Sequence, residues 1–366
     1  MISDRNKNIS QHAFHTPDSI MENASDVRRT DMKLVTFLGS GSIQPRIGAW
    51  INQNRHIVVL EKAAAARDAE AVPFFKDMIA FLAGGRQSLD KACALVDWAM
   101  DEQTPDLVIE SSTVTLLSPV PRPESIRDAM AFEDHIINCI RRVGLKKLAV
   151  VDEFIERAFG RKKSLAFRLN QAFYKQPLYY KSNRFSVVGH DADVSIPVYT
   201  KKMDYELEFG VFLWKQGRDI PADKAWDHIG GYTIFNDFSA RDMQLDEQKG
   251  RLGPAKGKDF DTGNVLGPCL VTVDEISDPY TLEMTAKVNG ELWSRGNSSD
   301  MYWRFEDIIA HISRSETLHP GEFIGSGTCS GKQGCGCGLE MNRFLKSGDV
   351  VELSVEKIGV LRNKVV

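Results

Sequence analysis

Beyond about residue 120 the chain is cut into short runs rich in β-branched and aromatic residues, each bounded by Gly, Pro, Asn or Asp. "SIPVYT", "YELEFGVFL", "GYTIFNDF", "GPCLVTV", "LEMTAKV" and "VVELSVEKIG" are such runs. Short, punctuated segments of this composition form strands, so the main body is expected to be β-rich. In "AKVNGELW" the pair Asn289–Gly290 separates two of them. Both residues tolerate positive φ, which is the requirement of a type I′ hairpin. Helical segments are fewer: one around "IRDAMAFEDHIINCIRR", one in "DEFIERAFGRKKSLAFRLNQAF" and one in "RFEDIIAHIS".

The preceding third of the chain reads differently. Residues 1–31 are polar and aperiodic, which predicts an arm without a core of its own. From Lys33 the strand-like runs "KLVTFL", "IGAWI" and "HIVVL" follow, the last two separated by the turn "NQNR". Helical periodicity then appears in "FFKDMIAFLAG" and "SLDKACALVDWAM", where Leu89, Ala92, Cys93, Leu95 and Val96 recur at helix spacing. The prolines of "LLSPVPRPES" end this unit near residue 120. The expected organisation is an N-terminal arm over 1–31, a small α/β domain over 32–120, and a β-rich α+β domain over 121–366.

Composition removes several function classes. At 366 residues, 42% hydrophobic and 26% charged, the chain has ample material for a large core. Its net charge of −4, from 46 basic and 50 acidic residues, comes without a sustained basic stripe, so nucleic acid is not an expected partner. No apolar run approaches the roughly 18 residues of a membrane span, and the N-terminus lacks a charged-then-apolar signal layout. A cytoplasmic protein with no membrane partner is the expectation. Six cysteines without an export signal read as reduced thiols. The C-x-C of "TCSGKQGCGCGLE" has no second paired motif and is a weak zinc signal.

The stretch "MDYELEFGVFL" carries the chemistry. Read as a strand, it places Asp204, Glu206 and Glu208 on one face and Tyr205, Leu207 and Phe209 on the other. Same-face residues stand only about 6.5–7 Å apart, so stacked carboxylates beside an apolar run are costly unless a positive charge sits against them. Asp128 and His135 are seven residues apart, two turns on one face if that segment is a continuous helix. Asp237 in "FNDFSARDMQ" follows an apolar strand. Asp128, Glu206, Glu208 and Asp237 together make an all-oxygen donor set, suited to Mg²⁺, Mn²⁺ or Ca²⁺ rather than zinc. Taken singly, each has a plainer structural reading: E-x-E as a solvated sheet face, Asp128 as a helix-start residue, His135 as an ordinary helix histidine.

These motifs, with "GPAKGKDFD", "LGP", "VNG", "SSDMYWRFEDIIAHIS", "TLHPGEFIGSGT" and "GLE…LKSGDVVELSVEKIGVLRN" in this order, resemble the fumarylacetoacetate hydrolase family from about residue 120 to the end. Residues 33–120 more loosely resemble the small N-terminal domain of many bacterial members. The resemblance implies a mixed β-sandwich or β-roll domain, a homodimer, and one divalent cation, Mg²⁺ foremost, held by Asp128, Glu206, Glu208 and Asp237. It implies His135 paired with Glu340 as the group that activates water, although "SGKQGCGCG" departs from the hydrolase pattern just before Glu340. It places Arg241, Gln244, Lys258 and Thr328 against substrate, with Lys258 as a proton donor. A tyrosine common two residues after the first Asp is replaced by Met130.

The same groups have bland alternatives: Lys258 as a surface lysine in a "KGK" turn, Arg241 as a salt-bridge partner of Asp242 or Glu247. Asp204 is left behind the ligands or facing solvent. "GRKKS", Arg161–Ser164, reads as a solvated helix face, or as part of a lid with Phe159, Phe167 and Phe173. The implied function is hydrolysis of a C–C bond in an acylpyruvate or related 1,3-dicarbonyl acid, with metal and cationic side chains stabilising the departing carbanion. The alternatives are a 2-oxo acid decarboxylase, isomerase or dehydratase working through the same metal enolate, or a cation-binding protein without catalysis.

Overall fold

Consecutive residues of Glu208–Leu213, Ile229–Asp237 and Asn264–Thr272 are buried without exception, a pattern available only to strands covered on both faces. A computed structural model, which describes residues 32–102 and 106–366, places them side by side at the centre of a large mixed sheet. From one edge the order runs Val108–Glu110, His56–Val59, Arg46–Ile51, Lys33–Leu38, Asn264–Thr272, Ile229–Asp237, Glu208–Leu213, Phe323–Gly325, Ile126–Ala129 and Tyr179–Ser182. Neighbours along this path are antiparallel except Phe323–Gly325, which runs parallel to Ile126–Ala129. The arm expected over 1–31 lies outside the described residues.

Two cores cover the sheet. On one face, the helices Leu60–Arg67 and Met78–Glu102 pack Leu60, Phe81, Leu82, Leu89, Leu95 and Val96 against Leu34, Ile47, Phe212, Phe235, Leu270 and Phe323. On the other lies a five-stranded sheet, Glu291–Asn297, Glu283–Val288, Val350–Val355, Gly359–Val365 and Asp193–Val194. Met284, Ala286, Val288, Val351, Leu353 and Val355 alternate with more exposed positions along its strands and join Phe209, Val211, Ile234 and Val265 in one core. The molecule is thus a β-rich α+β fold with stacked sheets. Asn289 and Gly290 take φ of 51° and 80° between the paired Val288 and Glu291, as the hairpin signal requires.

Several expectations need correction. "SIPVYT" forms no strand; Pro197 cannot donate to a ladder, and its carbonyl instead accepts the Thr200 N–H in a turn. Residues 126–139 are not one helix: Ile126–Ala129 is a strand held on both sides, and the helix begins at Glu133. Sheet pairing overrides local helical preference there. The helix expected over 152–173 stops at Phe159, where Gly160 takes φ 87°, and a short helix restarts at Leu165 under the Ser164 cap. Around residue 120 backbone pairing crosses the expected domain boundary, because Lys33–Leu38 pairs with Asn264–Thr272. Among the described residues no helix is long and apolar enough to cross a membrane.

Candidate active site

The alternation in Met203–Leu213 survives, with a different environment. Tyr205, Leu207, Phe209, Val211 and Leu213 enter the inter-sheet core, while the other face carries the acids and then Phe212, which belongs to the helix-covered core. The run is interrupted as a strand: Met203–Asp204 pairs with Ser239–Ala240, and Glu206 bridges to Cys337 before the main strand starts at Glu208.

Three segments bring the predicted acids together. Glu206 is held by its own N–H donating to Asn236 Oδ1 at 3.1 Å. Glu208 opens its strand, Asp237 closes the neighbouring one, and Asp128 arrives from the strand beside Gly325. Gly325 is required there, since a Cβ would stand 2.4 Å from Asp128 Oδ1. One carboxylate oxygen from each of Asp128, Glu206, Glu208 and Asp237 lies within 4.8 Å of the others, and all four residues are buried.

Such crowding is unfavourable for anions. Burial, then Asp237 and Glu206, pushes the Asp128 carboxyl up to about 8, and burial with Glu206 pushes Asp237 up to about 6 despite Lys258. Burial and the other three acids hold Glu208 well above the usual range. Glu206 alone is depressed: burial opposes its charge, but Lys258, Arg241 and His135 outweigh it. Glu208 Oε2 and Asp237 Oδ1 are buried without a hydrogen-bond partner. Oxygen donors that repel one another, two of them unsatisfied, fit a hard divalent cation.

His135 reaches the same place by another route than the predicted helix face. It sits on the helix Glu133–Cys139, and its Nδ1 lies 2.9 Å from Glu340 Oε1 on the helix Gly338–Met341. Glu340 is buried and heavily anchored, accepting from Ser330 Oγ at 2.5 Å and Asn138 Nδ2 at 2.7 Å, while its carbonyl accepts from Arg142 Nε at 2.6 Å. Burial disfavours the Glu340 charge, yet His135, then Ser330 and Asn138, hold its pKa below the usual range. Burial likewise opposes a charged His135, but Cys139, Cys337 and Glu340 raise it well above the ordinary value.

The cationic side chains are buried, contrary to their bland readings. Lys258 Nζ donates to Glu206 Oε2 at 2.7 Å and to Asp237 Oδ2, and these anions overcome burial to raise its pKa. Arg241 ignores Asp242 and Glu247; it pairs with Asp204 Oδ2 at 2.7 Å and Glu206 Oε1 at 2.8 Å, and donates to Gln244 Oε1 at 2.9 Å. Glu247 instead accepts the backbone N–H groups of Ala255, Lys256 and Gly257, shaping the loop that delivers Lys258. Asp204 does not face solvent: it is fully buried, and besides Arg241 it accepts from the N–H groups of Gly338 and Leu339. Thr328 Oγ1 lies 3.4 Å from Glu208 Oε1.

All these groups border one cavity of about 580 Å³, or stand directly behind its lining. Asp128, Glu206, His135, Arg241, Gln244, Lys258 and Thr328 form its polar end, and Ile136, Ile140, Val143, Leu169 and Leu178 its apolar wall. Met130 lines it as well. Tyr180, missed in the sequence, donates to Asp237 Oδ2 and sits opposite Asp128 in the sheet. It lies on a two-tyrosine strand with no motif to mark it. The "GRKKS" segment is no solvated helix face at Arg161, which pairs with Glu133, Asp134 and Glu156. Of the lid residues, Phe173 is fully buried and Phe159 exposed, and it is Leu169, between them, that borders the cavity.

The model for the fumarylacetoacetate (FAA) hydrolase C-terminal region matches residues 156–366. This chain belongs to the fumarylacetoacetate hydrolase family. The mitochondrial oxaloacetate tautomerase FAHD2A of Homo sapiens is 32% identical over 336 residues, covering 92% of each chain. Oxaloacetate tautomerase YisK of Bacillus subtilis is 30% identical over 86% of this chain and 94% of its own. Among solved structures, the fumarylacetoacetate hydrolase of Exiguobacterium antarcticum superposes with a TM-score of 0.65 at 24% identity, over 91% of this chain and 99% of that one. The family comprises enzymes named as tautomerases, isomerases and hydrolases.

Proposed function

We propose that this protein is a divalent-cation-dependent tautomerase, moving a proton between oxygen and carbon of a small 2-oxo dicarboxylic acid of the oxaloacetate type. The observation that carries the reading is the convergence of the acid cluster and the His135–Glu340 pair on one cavity that also presents Arg241 and Lys258. Relatives that match over nearly the whole length and are named oxaloacetate tautomerases support it.

Asp128, Glu206, Glu208 and Asp237 would hold the cation, which when bound withdraws charge from adjacent substrate oxygens. Arg241, fixed by Asp204, and Gln244 orient a substrate carboxylate; Thr328 borders the same end. Lys258 stays protonated between Glu206 and Asp237, and supplies charge rather than a proton. His135 carries the proton. Its Nδ1–H is tied to Glu340, and the charged ring gives its Nε2 proton to the substrate carbon and takes one back from the enol hydroxyl. A placed base or acid of this kind contributes about 10²–10⁴-fold.

Hydrolysis of an acylpyruvate C–C bond is the second reading, favoured by the buried Glu340 carboxylate behind His135, a pairing able to deprotonate water as well. Loss of enol absorbance from enol-oxaloacetate, followed with product analysis by NMR, separates them. The tautomerase reading expects ketonised oxaloacetate with its carbon skeleton intact. Cleaved acids from a panel of acylpyruvates, with oxaloacetate turned over no faster than its background, would replace it by hydrolysis. Decarboxylation would leave pyruvate and survive His135→Ala in large part. The homodimer implied by the family is part of the proposal, and sedimentation equilibrium tests it.

A further inference from the structure

Two sulfur atoms lie beside the His135–Glu340 pair. Cys139, one helical turn beyond His135, places Sγ 3.7 Å from Nε2 and 3.9 Å from Nδ1. Cys337, brought alongside Glu206 by an isolated bridge, places Sγ 3.5 Å from Glu340 Oε1. Donor atoms of His135, Cys337 and Glu340 lie within 4.8 Å of one another. Zinc–sulfur bonds of about 2.3 Å and zinc–nitrogen or zinc–oxygen bonds of about 2.0–2.2 Å set neighbouring donors of a tetrahedron about 3.4–3.8 Å apart. The 3.5 Å Cys337–Glu340 separation already has that size. The 2.9 Å His135–Glu340 hydrogen bond must open, by roughly 0.5 Å as a cation replaces its proton.

We propose that His135, Cys337 and Glu340 form a second, three-donor cation site, selective for zinc-class ions and separate from the carboxylate cluster. The donor types decide the selectivity. Thiolate and imidazole favour borderline-soft ions, whereas the four carboxylates favour hard ones. The outer contacts of a metal site are present too: Ser330 and Asn138 fix both Glu340 oxygens. His135 and Cys139 line the cavity, giving an entry path, while Cys337 and Glu340 lie buried behind them. A zinc ion there occupies the ring nitrogen and carboxylate of the proton-carrying pair. Binding stands independently of the proposed reaction; inhibition by zinc rests on it.

The test uses the full-length protein saturated with Mg²⁺ and titrated with Co²⁺ as a spectroscopic stand-in for Zn²⁺. The expected result is a thiolate-to-cobalt charge-transfer band in the near ultraviolet, displaced by Zn²⁺ and lost in Cys337→Ser. If Cys337→Ser does not fold, Glu340→Gln in the wild-type thiol background must weaken the band. With substrate, Zn²⁺ inhibits the wild type, and Cys337→Ser loses that inhibition when each protein is scored against its own zinc-free rate. Absence of the band in the wild type, or its persistence in the Cys337 variant, overturns the site. A protein inactive on every 2-oxo acid that still shows the band keeps the site and loses only the catalytic reading.

Discussion

At the scale of single residues, the site is organised by charges that would be intolerable alone. Asp204 binds Arg241 and the backbone N–H groups of Tyr205, Gly338 and Leu339, with both side chains almost completely buried. Breaking one partner of a buried pair costs about 3–5 kcal/mol. Asp204→Ala is therefore expected to lower the melting temperature and raise the substrate KM by freeing Arg241, with calorimetry and steady-state kinetics as the readouts; unchanged KM would remove Arg241 from substrate orientation. A second consequence concerns pH. In the metal-free protein Asp128 is raised from 3.8 to about 8 and Asp237 to about 6. Groups raised by folding hold protons that the unfolded chain releases, so metal-free stability falls as pH rises from near 4 toward 8. A cation must displace those protons, so its affinity is expected to rise over the same window in calorimetric titrations at several pH values. Affinity independent of pH would mean the acids are already ionised. The sequence exposed Glu206 and Glu208 through their spacing and Asp128, Asp237 and His135 through motif order. It could not expose Tyr180, Asn138 or Ser330, whose roles arise from contacts 57, 202 and 10 residues away in the chain.

Among elements, the strand Ile126–Ala129 shows why spacing alone misleads. A spacing of seven from Asp128 to His135 suits a helix face, yet two flanking strands claim Asp128 and the chain turns into a helix only at Glu133. That Asp128 and His135 belong to one site was readable from motif order, the geometry joining them was not. Gly325 on the parallel neighbour is the permissive position, because any side chain there meets Asp128 at 2.4 Å. Gly325→Ala is expected to abolish cation binding and most activity while circular dichroism retains the β-rich spectrum. Normal binding would show that Asp128 can retreat without loss. The Asn289–Gly290 hairpin, by contrast, was fully legible, since its φ requirement is local.

For the whole molecule, the central sheet joins the N-terminal strands to the catalytic body through the pairing of Lys33–Leu38 with Asn264–Thr272. The β-rich class was visible in the run lengths, but no local pattern in residues 33–38 names a partner some 230 residues later. Removing residues 1–120 would bare that edge and the apolar face under the helix Met78–Glu102, so the remaining fragment is expected to aggregate on expression. A monodisperse, folded fragment would establish residues 121–366 as an autonomous domain. The central claim is that Asp128, Glu206, Glu208 and Asp237 together hold one hard cation. Electron paramagnetic resonance of chelator-stripped protein titrated with Mn²⁺ measures it most directly. One tightly bound Mn²⁺ per chain, competed by Mg²⁺ and lost in Glu206→Ala, is the predicted result; free Mn²⁺ signal throughout the titration, or undiminished binding in that variant, would contradict it.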